Sequence, residues 1–368
     1  MADIFLFLIA LVAFAPRQTL LAQATAKSAS AKPSGVAKPK TKTDSHGQLS
    51  TLAVVETTKL PGLDTSLLLG NPRCDADGNF YIQNDFTFQS PIHKFSLKGE
   101  KVADFLASSS SDLPNLPPQL AHSGQFSVAE NGELYLEIMA SMTEHDLLVF
   151  GKDGTYKSKV VIDIGAMWHI KKFAVFSSGD FLIAGEKWQK AEQNYAPFTA
   201  IFSSRGTFLK ELSLEDDAKI YKYTVDGDSA FVPHPGNNRA VYQGAMATAA
   251  DGNIYLMRWL SPAVIYAISP GGEVLRRMTV DPGDSGAMPQ SMRIAGDSIV
   301  IEFKNKDTKK KLFKVVDLEG KARTTYSWPE FEGKPLWLSL CYMQNPERFV
   351  FLDQGKDETP VLRVAEPR

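Results

Sequence analysis

Apolar residues along this chain come in short bursts, each entered through a polar turn, and no stretch of useful length repeats with the 3.6-residue period of an amphipathic helix. The sharpest burst lies in DADGNFYI at 75–82. It returns as AENGELYL at 129–136, SSGDFLIA at 177–184 and ADGNIYLM at 250–257, and more weakly as AGDSIVIE at 295–302 and NPERFVFL at 345–352. A turn rich in Asp, Asn, Ser and Gly that opens at once onto aromatic and β-branched residues predicts a tight hairpin feeding a buried strand. Anchored on the first apolar residue of each burst, the repeat falls at Phe80, Leu134, Phe181, Ile254, Ile299 and Phe349.

A second motif trails the first five copies, in HKFSLKGE, LLVFGKDGT, TAIFSSRGT, YAISPGGE and KVVDLEGK. An apolar residue precedes a glycine by four positions each time: Phe95 and Gly99, Phe150 and Gly154, Phe202 and Gly206, Ile268 and Gly272, Val316 and Gly320. Glycine between two strand-like runs supplies the positive φ that a short turn requires. Two hairpins per repeat make four strands, and four strands in roughly 40–50 residues is the size of a propeller blade. The pattern therefore predicts an all-β chain, a six-bladed β-propeller of four-stranded antiparallel blades over residues 50–368. The sixth copy has Val364 in the place of Phe95 and stops at Arg368, where the turn glycine would stand. The segment LAVVETTKL at 52–60 reads as a strand with no hairpin partner, so it is expected to complete the last blade and remove a sheet edge.

These turn and strand motifs resemble the NHL-type propellers, whose blades carry a DGN before an aromatic or β-branched pair and then a strand, a turn glycine and a strand. The resemblance spans nearly all of 50–368 and implies architecture rather than activity. Only the first and fourth copies carry the full Asp-Gly-Asn, at 77–79 and 251–253, and an extra segment at 214–243 follows the third. A loop of that length is functional, separately structured or disordered.

In a closed propeller the loops at one end of the blades and the residues around the central channel form the binding surface, because a rigid framework leaves those loops free to vary. At the ends of the second strands the register places Asn84 and Asp85, Glu137, Glu186 with Lys187 and Trp188, Arg258 and Trp259, Glu302, and Asp353. These are the candidate ligand-binding residues. Asp85, Glu137 and Glu302 are candidate oxygen ligands for Ca²⁺ at the channel mouth, since hard cations take carboxylates gathered from several loops. His234, in PHPGNN, His169 beside Trp168, and Arg258 are the candidate catalytic groups. Trp188, Tyr195, Trp259, Phe86 and Phe88 could stack on a sugar or peptide. No GxSxG elbow, Gly-rich phosphate loop or metalloprotease helix is present in the sequence.

Residues 4–15 form one apolar run, far shorter than the roughly 20 residues of a membrane-spanning helix, and Ala22-Gln23-Ala24 supplies a small-x-small site behind it. Residues 1–24 therefore read as a signal peptide, although Asp3 stands where a basic n-region is usual. Residues 25–49, mostly Ala, Lys, Ser, Thr, Pro and Gly, read as a disordered linker. Export places the mature chain outside the cell or in a periplasm, without a transmembrane helix and as a monomer. Six of the forty basic residues precede position 50 against two of the forty-two acidic ones, which leaves the propeller net acidic and argues against nucleic acid as a partner. Cys74 and Cys341 fall on the innermost strands of the first and last blades. Export permits a bridge, but innermost strands of adjacent blades are expected to stand too far apart for the roughly 6 Å Cα separation of a disulfide, so two buried thiols are expected.

Two readings fit this sequence. The first is an exported binding or scaffolding module that takes a peptide, glycan or protein at its loop face. The second is a hydrolase or lyase of lactonase-like type with a cross-blade site, with or without Ca²⁺, that uses some of Asp85, Glu137, Glu302, His234 and Arg258 and is supported if these side chains converge at one channel mouth.

Overall fold

The computed structural model describes residues 49–60, 63, 72–75, 77–83, 87–113, 123–220 and 239–368. The expected signal peptide and nearly all of the expected linker lie outside them, as do Asn84, Asp85, Phe86 and His234.

Each polar turn identified in the sequence is the hairpin between the two innermost strands of a blade. Blade 1 runs outward through Arg73–Cys74, Phe80–Gln83, Ile92–Phe95 and Lys101–Phe105. Blade 2 comprises Ser123–Val128, Leu134–Met139, Glu144–Phe150 and Tyr156–Asp163, and blade 3 Trp168–Val175, Phe181–Gln189, Asn194–Phe202 and Phe208–Glu211. Blade 4 is built from Ala245–Thr248, Ile254–Arg258, Ala263–Ile268 and Val274–Val280, and blade 5 from Ala287–Ala295, Ser298–Asn305, Lys311–Asp317 and Ala322–Ser327. All pairings within the blades are antiparallel. The hairpins hold because their carboxylates work locally. In blade 1, Asp75 accepts from the Asn79 backbone and side-chain amides at 2.9 and 3.0 Å and from the Tyr81 hydroxyl at 3.0 Å, and in blade 4 Asp251 does the same for Asn253 and Tyr255.

Blade 6 closes the ring as the sequence predicts. Its strands Leu338–Met343, Arg348–Gln354 and Pro360–Pro367 come from the C-terminal end, and Leu52–Lys59 pairs antiparallel with the last of them, Leu52 opposite Pro367 and Lys59 opposite Val361. A short strand just before it, Leu49–Ser50, adds in parallel to the outer edge of blade 5, so the expected linker boundary falls inside a strand. Buried apolar clusters occupy the gaps between successive blades, each side chain alternating between the gap before and the gap after its blade. Phe80, Leu134, Phe181, Ile254, Ile299 and Phe349, the anchors of the repeat, are all at most 1 % exposed. Burial of this kind stabilises by about 1.5–3 kcal/mol per large apolar side chain, and it holds blades to one another rather than forming one central core.

The cysteines are bridged, which corrects the expectation of two free thiols: Cys74 and Cys341 are disulfide-bonded with their Cα atoms 5.9 Å apart. Innermost strands converge on the propeller axis, and at the junction of blades 6 and 1 they come within bonding reach. The start of the extra segment after blade 3 is packed, with Leu214 buried against blade 4 and Asp216 held by Arg277 at 2.9 and 3.0 Å and by the Tyr266 hydroxyl. A single helical turn, Arg239–Tyr242, leads into blade 4.

Candidate functional site

At the ends of the second strands, the residues singled out from the sequence are engaged with neighbours. On blade 2, Glu137 is 5 % exposed and accepts from His145 Nδ1 at 2.6 Å through Oε1 and from the Gln125 amide at 3.3 Å through Oε2. The other imidazole nitrogen stands 3.3 Å from the Trp168 carbonyl of blade 3. Gly124 makes room for this pair, because a Cβ there would lie 1.4 Å from Glu137 Oε2.

On blade 3, buried Glu186 lies opposite His169 in the ladder, with Lys171 Nζ at 3.5 Å. Trp188 packs edge-on against Tyr195, and Tyr195 packs against His169, each pair with ring centroids 5.1 Å apart. Burial, reinforced by Lys171 and His145 and opposed by Glu137, lowers the His169 imidazole to about 4, so it is neutral at physiological pH. Trp168 is fully buried and belongs to the core between blades 2 and 3. Phe88 likewise belongs to the core, between blades 1 and 2.

Arg258 on blade 4 is completely buried and donates through Nη2 to Asp217 at 2.8 Å and to Thr199 at 3.0 Å, while its Nε and Nη1 have no hydrogen-bond partner. Burial raises the Asp217 carboxyl against the opposing pull of Arg258. The Arg239 guanidinium lies 5.6 Å from the ring of Trp259. On blade 5, Glu302 sits between Ser291 at 3.2 Å and Lys311 at 3.3 Å, and on blade 6 Asp353 accepts from Arg363 Nε at 2.7 Å. Each of these charges is thus balanced by an ionisable partner close to its own strand. Among the described residues, no three His, Cys, Asp or Glu side chains come together in a way that could hold a metal ion.

The other end of the channel is different. A cavity of about 520 Å³ opens there, at the hairpin-turn end, and its wall follows from the register. Arg73, Ser127, Ala174, Ala247, Arg293 and Cys341 each pair with the residue just after the anchor of their own blade, and all six line the cavity. They form one layer around the axis, contributed once by each blade. Three of the six are alanine or serine, which is why space remains. The two arginines stand on blades 1 and 5. Two residues deeper than Ala174 on blade 3, Lys172 is 4 % exposed and donates to Gln125 Oε1 at 3.4 Å.

Arg73, Lys172 and Arg293 were not among the candidates drawn from the sequence. Burial, then the neighbouring Arg293, lowers the Arg73 guanidinium to about 10. Burial, then Arg73 and Lys171, lowers the Lys172 ammonium to about 7. The available signal was a basic residue on the innermost strand ahead of three of the six turn motifs, in RCDADGN, KKFAVFSSGD and RIAGDS.

No protein-family model matches this chain, and no curated protein does. Solved structures do. A candidate exported protein of Bacteroides fragilis superimposes with a TM-score of 0.51 at 9 % identity, covering 86 % of this chain and 95 % of that one. The PQQ-bound aldose sugar dehydrogenase of Streptomyces coelicolor reaches 0.46 at 10 % identity, covering 87 % and 98 %, and the Pan2 WD40 domain of Neurospora crassa 0.43 at 9 %, covering 86 % and 96 %. At such identities the likeness is one of fold, and the chain is a six-bladed β-propeller.

Proposed function

We propose that this protein is an exported, non-catalytic binding module of NHL-like type, and that it takes a small ligand, or the end of a peptide or glycan, into the central channel from the hairpin-turn end. The observation that carries this reading is the cavity of about 520 Å³, whose wall includes a layer made of one residue from every blade. That volume is within the range of small-molecule sites, about 300–1,000 Å³, and rigid innermost strands pre-organise it. The disulfide between Cys74 and Cys341 supports an oxidising compartment, in keeping with the short apolar run at 4–15. The hydrolase alternative draws no support from Glu137 or Glu302, because each carboxylate is already engaged, Glu137 by a buried histidine and Glu302 by a lysine.

Thermal melting of the full chain against neutral sugars, amino acids, dipeptides and small polyanions tests the reading, since a ligand that binds only the folded state raises Tm. At least one class is expected to raise Tm. Ala247→Trp, which fills the cavity, is expected to abolish the rise. Stabilisation by none of these classes, or turnover of a lactone or ester by the protein, overturns it.

A further inference from the structure

The charges of this propeller are distributed unevenly. At the ends of the second strands the described candidate carboxylates are each partnered, Glu137 by His145, Glu186 by Lys171, Glu302 by Lys311 and Asp353 by Arg363, and Arg258 has Asp217. Around the channel the balance fails. Arg73 has no hydrogen bond or ion pair with any described residue. Arg293 donates only to backbone carbonyls, those of Met292, Ser339 and Leu340, at 3.0, 3.4 and 2.8 Å. Lys172 has the amide oxygen of Gln125 alone. These three stand on blades 1, 5 and 3, so they alternate around the axis, one on every second blade.

Carboxylates close to the cavity do not answer them. Asp75, at its wall, is taken by Lys94 at 3.1 Å and by the hairpin amides, and Glu302, whose charge reaches Arg293, is taken by Lys311. Asp77 and Glu130 sit exposed at the rim, on the turns. Removing a cation from water costs several kcal/mol unless it is paired, and like charges placed together add to that cost. A fold that sets half-buried Arg73 and Arg293 in the wall of one void, with small residues between them and buried Lys172 two residues deeper than Ala174 on blade 3, is complementary to a ligand that brings the missing negative charge.

We propose that the cavity is an oxyanion site for a small compact polyanion carrying two or three carboxylate or phosphate groups, held by Arg73 and Arg293 in the wall and by Lys172 beneath them. Planar guanidinium groups match carboxylate and phosphate oxygens in pairs, which gives orientation as well as attraction. The three-fold alternation of blades 1, 3 and 5 fits a ligand with anionic arms around one centre. This inference rests on the channel-binding reading above and narrows it to one class of ligand.

The test is thermal melting of the full chain with citrate, tricarballylate, pyrophosphate or glucose, at ionic strength held constant with sodium chloride. Citrate and tricarballylate, or pyrophosphate, are expected to raise Tm by about 3 °C or more at millimolar concentration. The stronger arm identifies carboxylate or phosphate as the source. Arg73→Gln and Arg293→Gln are expected to weaken the effect at least about ten-fold in apparent Kd; without ligand, Arg73→Gln, which breaks no hydrogen bond, leaves melting level, whereas Arg293→Gln gives up three bonds to backbone carbonyls and lowers it. An anion effect no larger than chloride's, or one that both variants retain, overturns the inference. If anions fail while glucose or a dipeptide stabilises and Ala247→Trp abolishes that, the channel reading stands and only the anion assignment falls. If no class stabilises, both fall.

Discussion

Cys74 and Cys341 join the innermost strands of the first and last blades across 267 residues of sequence, and the residue before Cys74 is Arg73. The innermost strand of blade 1 is only Arg73–Cys74, so the bridge is what fixes the backbone that carries the guanidinium. A second device closes the same junction, since Leu52–Lys59 completes blade 6 beside it. Reduction, or Cys341→Ser, is expected to cost about 2–5 kcal/mol in global stability, the usual range for a native disulfide closing a long loop. Urea unfolding with and without reductant measures it. A loss well under 1 kcal/mol would mean that strand closure alone holds the ring.

The glycine of the outer hairpin does more than turn the chain. Gly154 has φ of +87°, and a Cβ there would sit 2.2 Å from the Asp104 carbonyl on the outer strand of blade 1. The corresponding Gly206 meets the Val161 carbonyl of blade 2 at 2.0 Å, and Gly99 meets the Lys59 carbonyl of the closing strand at 2.6 Å. Each outer turn is therefore wedged against the blade before it. Gly154→Ala is expected to cost about 3 kcal/mol or more through that backbone clash. Gly165→Ala, with φ of +65° and nothing within 4 Å, should cost only the left-handed strain of about 1–2 kcal/mol. Paired denaturation curves separate the two, and equal losses would sink the wedge.

The turn motifs made the blade count, the strand order and the ring closure readable, because a hairpin glycine and the apolar burst after it announce themselves locally. The channel was not readable, and the reason is geometric. Innermost strands carry β-bulges, between Ser123 and Phe126, Ile170 and Lys172, Pro289 and Ser291, and Ser339 and Cys341. A bulge reverses the in-and-out alternation of a strand, so whether Lys171 or Lys172 approaches the axis cannot be counted from the turn. Ion pairing was hidden as well. The sequence places Glu137 and Glu302 at strand ends, but only the folded sheet brings His145 and Lys311 alongside them.

Lys172 gives the channel a pH signature. Its ammonium is lowered to about 7 by burial first and then by Arg73 and Lys171, whereas in the unfolded chain it titrates near about 10.4. Between those values the unfolded state holds a proton that the native state lacks, so this group makes stability rise with pH from about 7 to about 10. Below pH 7 its full penalty is present. Tyr81, Tyr135 and Tyr255 are pushed upward by burial and their carboxylate partners, so as their unfolded forms titrate at about 10 they lower stability with rising pH and oppose Lys172 at the top of this window; the Lys172 contribution is therefore read as the difference between parent and variant. Lys172→Met is expected to be more stable than the parent at pH 7 and to flatten the rise, as read from urea midpoints at pH 7, 8, 9 and 10. An unchanged slope would show that Lys172 is charged in the folded protein throughout.

Glu137 separates a structural carboxylate from a catalytic one. Glu137→Gln keeps the shape, and its amide oxygen still accepts from His145. The Gln125 amide, however, then faces an NH₂ group where Oε2 stood, and the charge assistance of the pair is lost. A loss of about 1–3 kcal/mol in stability is expected from leaving a buried donor unsatisfied, with the anion-induced rise in Tm retained because neither Glu137 nor His145 lines the cavity. Melting curves with and without citrate read both quantities from one preparation. If stability were untouched while ligand binding or turnover of an ester disappeared, Glu137 would be a site residue, and the functional end of the propeller would be the second-strand end rather than the hairpin-turn cavity.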